Sequence, residues 1–575
     1  MARDRSSLVR GAVVGALVAV GVLLLWVMVT GGLALVTALQ VQNQTQALTE
    51  QLRAGDSAAA QQSLTELQDS SGALAARLNS APWTQVATLP LVGPTVTVLA
   101  GIAQGTGAVM AATEGQEAVI TDTVAELKAR GTSGAGALKA LQPVTAAAAA
   151  AVAGPAQDVG AVSDDEIFAP LRSFTVSRQQ QFLGIVQGVQ AAEGATVALP
   201  ALLGAEGPRT WLVVVQNDAE PRGTGGLLSA YSVVDVRNGD LRPRDADTTN
   251  DLFDQPPVSL AGIPADTRRL WGPGQLGRWW GFNLDRHFPY AGLLMHRGSP
   301  VPVDDVITLD AQVVAGLLAV TGPVKAKGVR VDADNAARFF TVDIYDRFRD
   351  PERKDAVTVA LIKTVMSRLA DGDLDPLELW DALALTASQG RLLTYSADPR
   401  VQEGLAKMPT SGEVPDVAGP WASAAINDFA GNKLGAYLTV TSRYESAAFC
   451  SDDATASTVS VNVTNEAPTG LPPYVDVRTD QPGSPTGTGS TRAGIAIYGP
   501  VGAMLQSATL DGAPLEVRAG SDRSRPVWQT DVELPRGAGA QLAVQFSEPR
   551  VPRQPVVFSP QPMVQDMTVD TTSLC

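Results

Sequence analysis

Residues Gly11 to Gln40 carry no charged side chain, and Arg3, Arg5 and Arg10 stand immediately before them. A helix rises ~1.5 Å per residue, so about 20 apolar residues span a ~30 Å hydrocarbon core. Residues 11–38 therefore predict a transmembrane helix. Arginine-rich flanks stay in the cytoplasm, which makes 1–10 a cytoplasmic N-terminus and places the bulk of the chain outside the cell membrane as a single-pass protein. Val36-Thr37-Ala38 also fits the small-residue site of a cleaved signal peptide, although the apolar core is longer than the usual roughly 7 to 15 residues.

An exported chain of this size has material for several domains. Its net charge of -16 and pI near 4.7 exclude nucleic acid as a partner, because phosphate-backbone affinity rests on clustered Lys and Arg. The two cysteines, Cys450 and Cys575, form no paired metal motif. In an oxidising exterior they are candidates for one disulfide, with two free thiols as the alternative.

The residue pattern divides the exported chain into three parts. Over 39–200, apolar residues recur at helical spacing (Leu48, Leu52, Leu64, Leu67, Leu74, Leu78), interrupted by LPLVGP at Leu89–Pro94 and by the linker-like GTSGAG. This predicts an α-helical membrane-proximal region, as an intramolecular bundle or as a coiled coil. From 205 to 432, short apolar runs such as WLVVV (Trp211–Val215) alternate with helical segments, predicting an α/β core domain. From 433 to 575 the period becomes two, with Pro and Gly between runs, predicting an all-β sandwich-like domain.

The familiar catalytic signatures are missing. His287 and His296 are the only histidines and no HExxH occurs, so zinc-protease chemistry has no basis. There is no phosphate-binding GxxxxGK[ST] and no GxSxG. Gly223–Gly226 lacks dinucleotide spacing, and the acidic run Asp245–Asp251 has Pro256 where a calcium loop needs its final carboxylate. Two features remain. VVVQNDAEPRGTGG (Val213–Gly226) places Asn217, Asp218, Glu220 and Arg222 after an apolar strand, where open α/β sheets bind ligands. The same residues also suit a polar loop in which Arg and Glu pair with each other. The second feature, Asp343–Arg353, mixes charges of both signs and equally fits a solvated helix face.

QNDAEPRGTGG, VDDVITLDAQVVAGLLAVTGPV (Val303–Val324), DRFRDPERKD (Asp346–Asp355) and NKLGAYL (Asn432–Leu438) resemble the family known as domain of unknown function 4012, membrane-anchored envelope proteins of Gram-positive bacteria. More distantly, the order of WLVVVQND, the Arg222 loop, LLSAYSVVDV, a hairpin and PRDADT looks like the core of LytR-CpsA-Psr proteins, which transfer lipid-linked glycopolymers to peptidoglycan. That resemblance implies a catalytic group of Arg222, Asp343, Arg347 and Arg353. Phosphate binding would fall to Arg222, Arg244, Arg347 and Arg353, with Asn217, Glu220 and Arg349 beside them. Asp218 and Asp245, with Asp343, would hold magnesium. The chain departs from that family where RGTGG and ERKD replace its arginine-rich runs.

The expectation is thus an extracytoplasmic envelope protein that binds or transfers a lipid-linked anionic glycan or cell-wall polymer in wall or exopolysaccharide assembly. The alternative is a non-catalytic envelope scaffold. Whether the chain is an enzyme, and how it oligomerises, are left open by the residues.

Overall fold

The computed structural model describes residues 40–41, 43–164, 166–371, 374, 376–416, 418–450, 455–481, 488–551 and 554–575. The expected anchor at 11–38 lies outside them. The chain forms two compact units, one from the segment ending at Glu126 plus Ala140–Glu193, the other from Leu127–Lys139 plus Gly194–Cys575.

The first unit is helical, as the apolar spacing predicts. A helix over 40–54 turns at Gly55 (φ 80°) and returns as Ser57–Leu78, whose first turn is capped by the Asp56 carboxylate accepting from Ala59 N at 3.0 Å. Gln40 Nε2 donates to Ser70 Oγ at 3.2 Å, so these two helices run antiparallel. Helix Gly93–Ala112 packs against Ser57–Leu78 and against Gln142–Gly160. It can do so because a Cβ on Gly107 would lie 3.1 Å from that of Ala75 and one on Gly101 2.6 Å from Val159. Val98, Val152, Val159, Phe182 and Val186 form the resulting core. By length and composition alone, Gly93–Ala112, Glu117–Gly160 and Ala169–Leu202 could each cross a membrane. GTSGAG is not a linker. It begins the 3-10 segment Gly131–Leu141, whose small residues let Thr132 Oγ reach Gly239 O at 2.7 Å within the second unit.

The second unit contains a mixed sheet of order β3-β2-β1-β4-β7. Its strands are β1 (Arg209–Arg222), β2 (Gly225–Arg237), β3 (Asp240–Thr248), β4 (Asp305–Leu309) and β7 (Leu393–Ser396), with a small ribbon of β5 (Val324–Ala326) and β6 (Val329–Val331) set apart. β1 runs antiparallel to β2 and parallel to β4. WLVVV is continuously apolar because both faces of this sheet are covered. Val213 meets helices Ala311–Thr321 and Pro351–Asp371, while Leu212 and Val214 meet helix Phe288–Gly298 and part of a second sheet.

The remaining strands are β8 (Trp421–Asp428), β9 (Leu438–Ser446), β10 (Ser457–Asn465), β11 (Thr491–Tyr498), β12 (Met504–Leu510), β13 (Ala513–Pro514), β14 (Arg518–Asp522), β15 (Arg525–Leu534), β16 (Gly539–Ser547), β17 (Val557–Ser559) and β18 (Thr568–Ser573). They form sheets β13-β12-β16-β10-β9-β18 and β14-β15-β11-β8-β17. Alternate residues of both, among them Ile426, Val461, Ile495, Trp528 and Val544, share one core, the outcome of a period-two pattern. Cys450 and Cys575 are joined, with Cα atoms 5.1 Å apart.

Candidate functional site

The sequence reads NDAEPR as a loop, but β1 continues through it to Arg222. The strand bulges on the way: Asn217 pairs with Leu227 and Pro221 with Gly226, leaving Asp218, Ala219 and Glu220 without partners in the ladder. Asn217 Oδ1 accepts from Ala219 N at 3.1 Å and supports the bulge. Bulges re-aim side chains, and this one turns two carboxylates into the protein. Close approach requires the glycines. A Cβ on Gly226 would lie 2.1 Å from the Asn217 carbonyl carbon, and one on Gly223 2.4 Å from Leu284 O.

NKLGAYL packs on the bulge. A Cβ on Gly435 would fall 2.3 Å from Pro221 Cδ and 2.6 Å from Ala219 O, so glycine there seats the segment and brings Lys433 to Glu220. Glu220 is held by Lys433 on one side and by Arg222 at 2.8 Å on the other, all three buried. Burial alone would raise the Glu220 pKa, but attraction from Lys433 and Arg222 outweighs it and holds the carboxylate below its ordinary value. Arg222 spends its remaining donors on Asp428 O at 2.8 Å, Pro221 O at 3.0 Å and Trp280 O at 3.3 Å. Asp428, beside this group, is pushed up to about 7, first by burial and then by repulsion from Glu220.

This cluster forms one wall of a cleft of about 770 Å³. The other lining includes Lys354, Arg492 and the rings of Phe253, Trp280, Tyr345, Phe429 and Tyr474. Tyr345 and Tyr474 stack with centroids 5.7 Å apart. Lys354 Nζ lies 4.6 Å from the Tyr474 centroid, donates to its hydroxyl at 3.3 Å and pairs with Asp355 at 2.8 Å. Burial opposes the charge on Lys354, yet the Tyr474 oxygen and the Asp355 bond outweigh it and raise its pKa. Arg492 sits over Phe429 at 5.6 Å. Asn217, Tyr345, Lys354 and Asp355 also line a slot of about 60 Å³ that continues between Val215, Val314, Phe340 and Ile362. Those four apolar residues line a further cavity of about 30 Å³ as well.

The expected site is only partly assembled. Asn217, Glu220 and Arg222 converge, although Glu220 and Arg222 chiefly hold each other. Asp343 and Arg347 line a different hollow with Arg330 and Asn335, and Asp343 pairs with Arg338 at 2.9 Å. Arg347 and Arg353 both stack on Phe348 from the exposed side, each 5.5 Å from its centroid, and Arg349 is exposed nearby. Arg244, on β3, is exposed and pairs with Asp235 at 3.3 Å.

The expected joint metal site of Asp218 and Asp245 is corrected by the register. Asp245 opposes Val233, which opposes Leu212, six residues before Asp218 along β1. At ~3.3 Å per residue the two are roughly 20 Å apart. Asp218 instead lies 3.6 Å from Arg391, which also binds Asp310 at 2.6 Å and Asp566 at 2.6 Å. Burial and then Asp310 raise Asp218 to about 7. Among the described residues no three His, Cys, Asp or Glu side chains gather around one point. The described residues therefore do not gather enough carboxylates to build a magnesium site by themselves, since that ion needs near-octahedral oxygen ligands.

Lys354, Lys433, Arg492 and Tyr474 were not singled out from the sequence. Lys354 and Lys433 do lie within DRFRDPERKD and NKLGAYL, so the motifs marked the right segments. Arg492 sits in β11 and Tyr474 in the short helix Pro473–Asp476, with no local signal.

The second unit is thus a mixed α/β arrangement with charged residues bulged out of its first strand into a ring-lined cleft. Residues 206–345 match the family model described as protein of unknown function (DUF4012), the family to which the motifs pointed. The matched span covers β1 to β6 and ends at Tyr345, in the cleft wall. No curated protein and no solved structure matches the chain.

Proposed function

We propose that this chain is a membrane-anchored, extracytoplasmic cell-envelope protein whose cleft binds a phosphate-bearing, lipid-linked glycan and presents it for wall or exopolysaccharide assembly. One observation carries the reading: cations and stacked aromatic rings share a cleft that runs into an apolar slot. Aromatic faces suit sugar rings, Lys and Arg suit phosphate, and the slot suits the first segment of an acyl or prenyl chain. The resemblance of the core to LytR-CpsA-Psr proteins supports the same substrate class. Transfer chemistry is a further step within this reading, and a divalent cation would enter it with the phosphate rather than on a preformed set of carboxylates.

The test is binding of a short-chain polyprenyl-pyrophosphate glycan to the full chain in nanodiscs. Arg492→Ala, which removes a half-exposed cation from the cleft wall, is expected to weaken binding about tenfold, the worth of one charge-assisted hydrogen bond. Arg244→Ala, on the exposed strand β3, is expected to leave it unchanged. Equal effects from both, or no binding by the unaltered chain, would remove the reading.

The scaffold alternative has its own supporting observation. Met504 and Leu505, 69% and 41% exposed on β12, are apolar residues presented to solvent where a protein partner could cover them. It requires that Met504→Ser and Leu505→Ser disturb co-purification of envelope proteins while glycan binding is absent.

A further inference from the structure

The helical first unit ends in an apolar tip made by two loops. Leu89 and Leu91 are 48% and 77% exposed at the start of helix Gly93–Ala112. Leu171 and Phe174 are 45% and 44% exposed at the start of the helix beginning at Arg172. Phe168, exposed as well, donates its backbone N–H to Thr95 Oγ at 2.9 Å. Ten residues further along, Gly105 faces Phe182, so the two helices run parallel and both begin at this end. Five large apolar side chains therefore crowd one end of the bundle, whereas elsewhere in this unit Ile185 alone among the described large apolar residues is comparably exposed.

The direction of the chain says what that end faces. Gln40, where the uncharged segment stops, is level with Ser70. Helix Ser57–Leu78 runs opposite to helix 40–54, so from Ser70 onward it heads back toward the side on which the chain enters. The eight residues from Ser70 to Leu78 alone advance ~12 Å in that direction, and the tip lies beyond them.

We propose that this tip inserts into the outer leaflet of the same membrane that holds the anchor, as a second, interfacial contact. Leu and Phe side chains at loop tips bury their apolar surface at the boundary of headgroup and acyl chain. Charge adds little: Arg172 and Arg178 flank Phe174, with Arg178 5.4 Å over its ring, but Asp164 and Glu166 lie in the preceding loop. Insertion is therefore apolar, insensitive to salt, and needs no anionic lipid. The proposal rests on the anchor reading and adds that the bundle is held against the bilayer rather than standing clear of it.

The experiment uses the full chain reconstituted in phosphatidylcholine liposomes, with an environment-sensitive fluorophore on single added cysteines Leu91→Cys, Phe174→Cys and, at the opposite end, Glu114→Cys. These positions are exposed, so labelling leaves folding intact. Probes at 91 and 174 are expected to be quenched several-fold more by nitroxide-labelled lipid than the probe at 114, equally in low and high salt. Liposome flotation reads the anchor separately. A chain that floats while all three probes remain aqueous overturns the tip insertion and leaves the anchor standing; a chain that does not float overturns both. Self-quenching at position 91 that needs labelled neighbours, without lipid quenching, would assign the tip to a second copy and also overturn the proposal.

Discussion

Glu220 is the residue around which the cleft wall is organised, because two buried cations share its carboxylate. Taking one partner away would leave a buried charge uncompensated, and Asp428 beside it, pushed up to about 7 by burial and then by the Glu220 charge, is only about half ionised at neutral pH. The sign of the pH effect follows. An acid whose pKa is raised from 3.8 to about 7 on folding binds its proton more tightly in the folded state. Its contribution is complete below about pH 4 and is lost as pH rises through about 7. Asp428→Asn keeps the oxygen that accepts from Gly431 N at 3.0 Å and cannot ionise. It is expected to flatten the fall in melting temperature between pH 5 and 8, by on the order of 1 to 2 kcal/mol of stability. A variant with the unaltered slope would mean that Asp428 is charged throughout. At this scale the sequence was half legible. The pairing of Arg222 with Glu220 was one of its two readings, while the arginines of DRFRDPERKD drew attention away from Lys354. Phe348 explains the difference. Its buried ring holds Arg347 and Arg353 on the outside, and the next position, rotated by ~100° round the helix, turns inward.

Among the elements, the bulge in β1 is the device that converts a buried strand into a site. No periodicity announces it, since polar residues and a proline in NDAEPR read as the end of a strand. Strand β8 was hidden for a different reason: Ala422, Ala424 and Ala425 pack fully, yet alanine gives little strand signal. By contrast the Val- and Ile-rich strands β10 and β11, and helix Ala311–Thr321, lie where the apolar pattern places them. The bulge makes a sharp claim on its neighbour. Gly435→Ala would drive a methyl into Pro221 and the Ala219 carbonyl, neither of which is the end of a flexible side chain. The expected cost is about 1 to 3 kcal/mol, seen as an earlier denaturation midpoint. Glycan affinity should fall with it, because Lys433 moves with the segment. The slot beneath offers a complementary test. Ile362→Phe narrows the cavity between helix Pro351–Asp371 and the sheet, and is expected to weaken binding of a prenyl-linked glycan while sparing the water-soluble pyrophosphate sugar. Equal loss for both ligands would detach the slot from the site.

Across the second unit, the last strand closes the structure on weak terms of its own. β18 pairs parallel to β9, in register from Thr568 opposite Thr441 to Ser573 opposite Ser446. Five of its six residues are exposed, so it buries little apolar surface to hold itself in place. Besides an exposed pair of Asp570 with Arg443 of β9 at 2.8 Å, two attachments compensate. Arg391 binds Asp566 and the Met563 carbonyl just ahead of the strand, and the Cys450–Cys575 bridge fixes its end. The cysteines were a disulfide candidate in the sequence, with free thiols as the alternative; the role of Arg391 had no signal there, since its partners Asp218, Asp310 and Asp566 are scattered along the chain. Joining positions 125 apart removes loop-closure entropy worth roughly 4 to 5 kcal/mol in the chain-entropy model. Because β18 has little else to retain it, most of that difference should appear on reduction. Dithiothreitol, or Cys575→Ser at an exposed position, is expected to lower the denaturant midpoint of the all-β part and to expose the edge of β9 to hydrogen exchange at Thr441–Ser446 before any other strand. A reduced chain that keeps both its midpoint and its β9 protection would show that Arg391 and the ladder suffice, and that the bridge adds little.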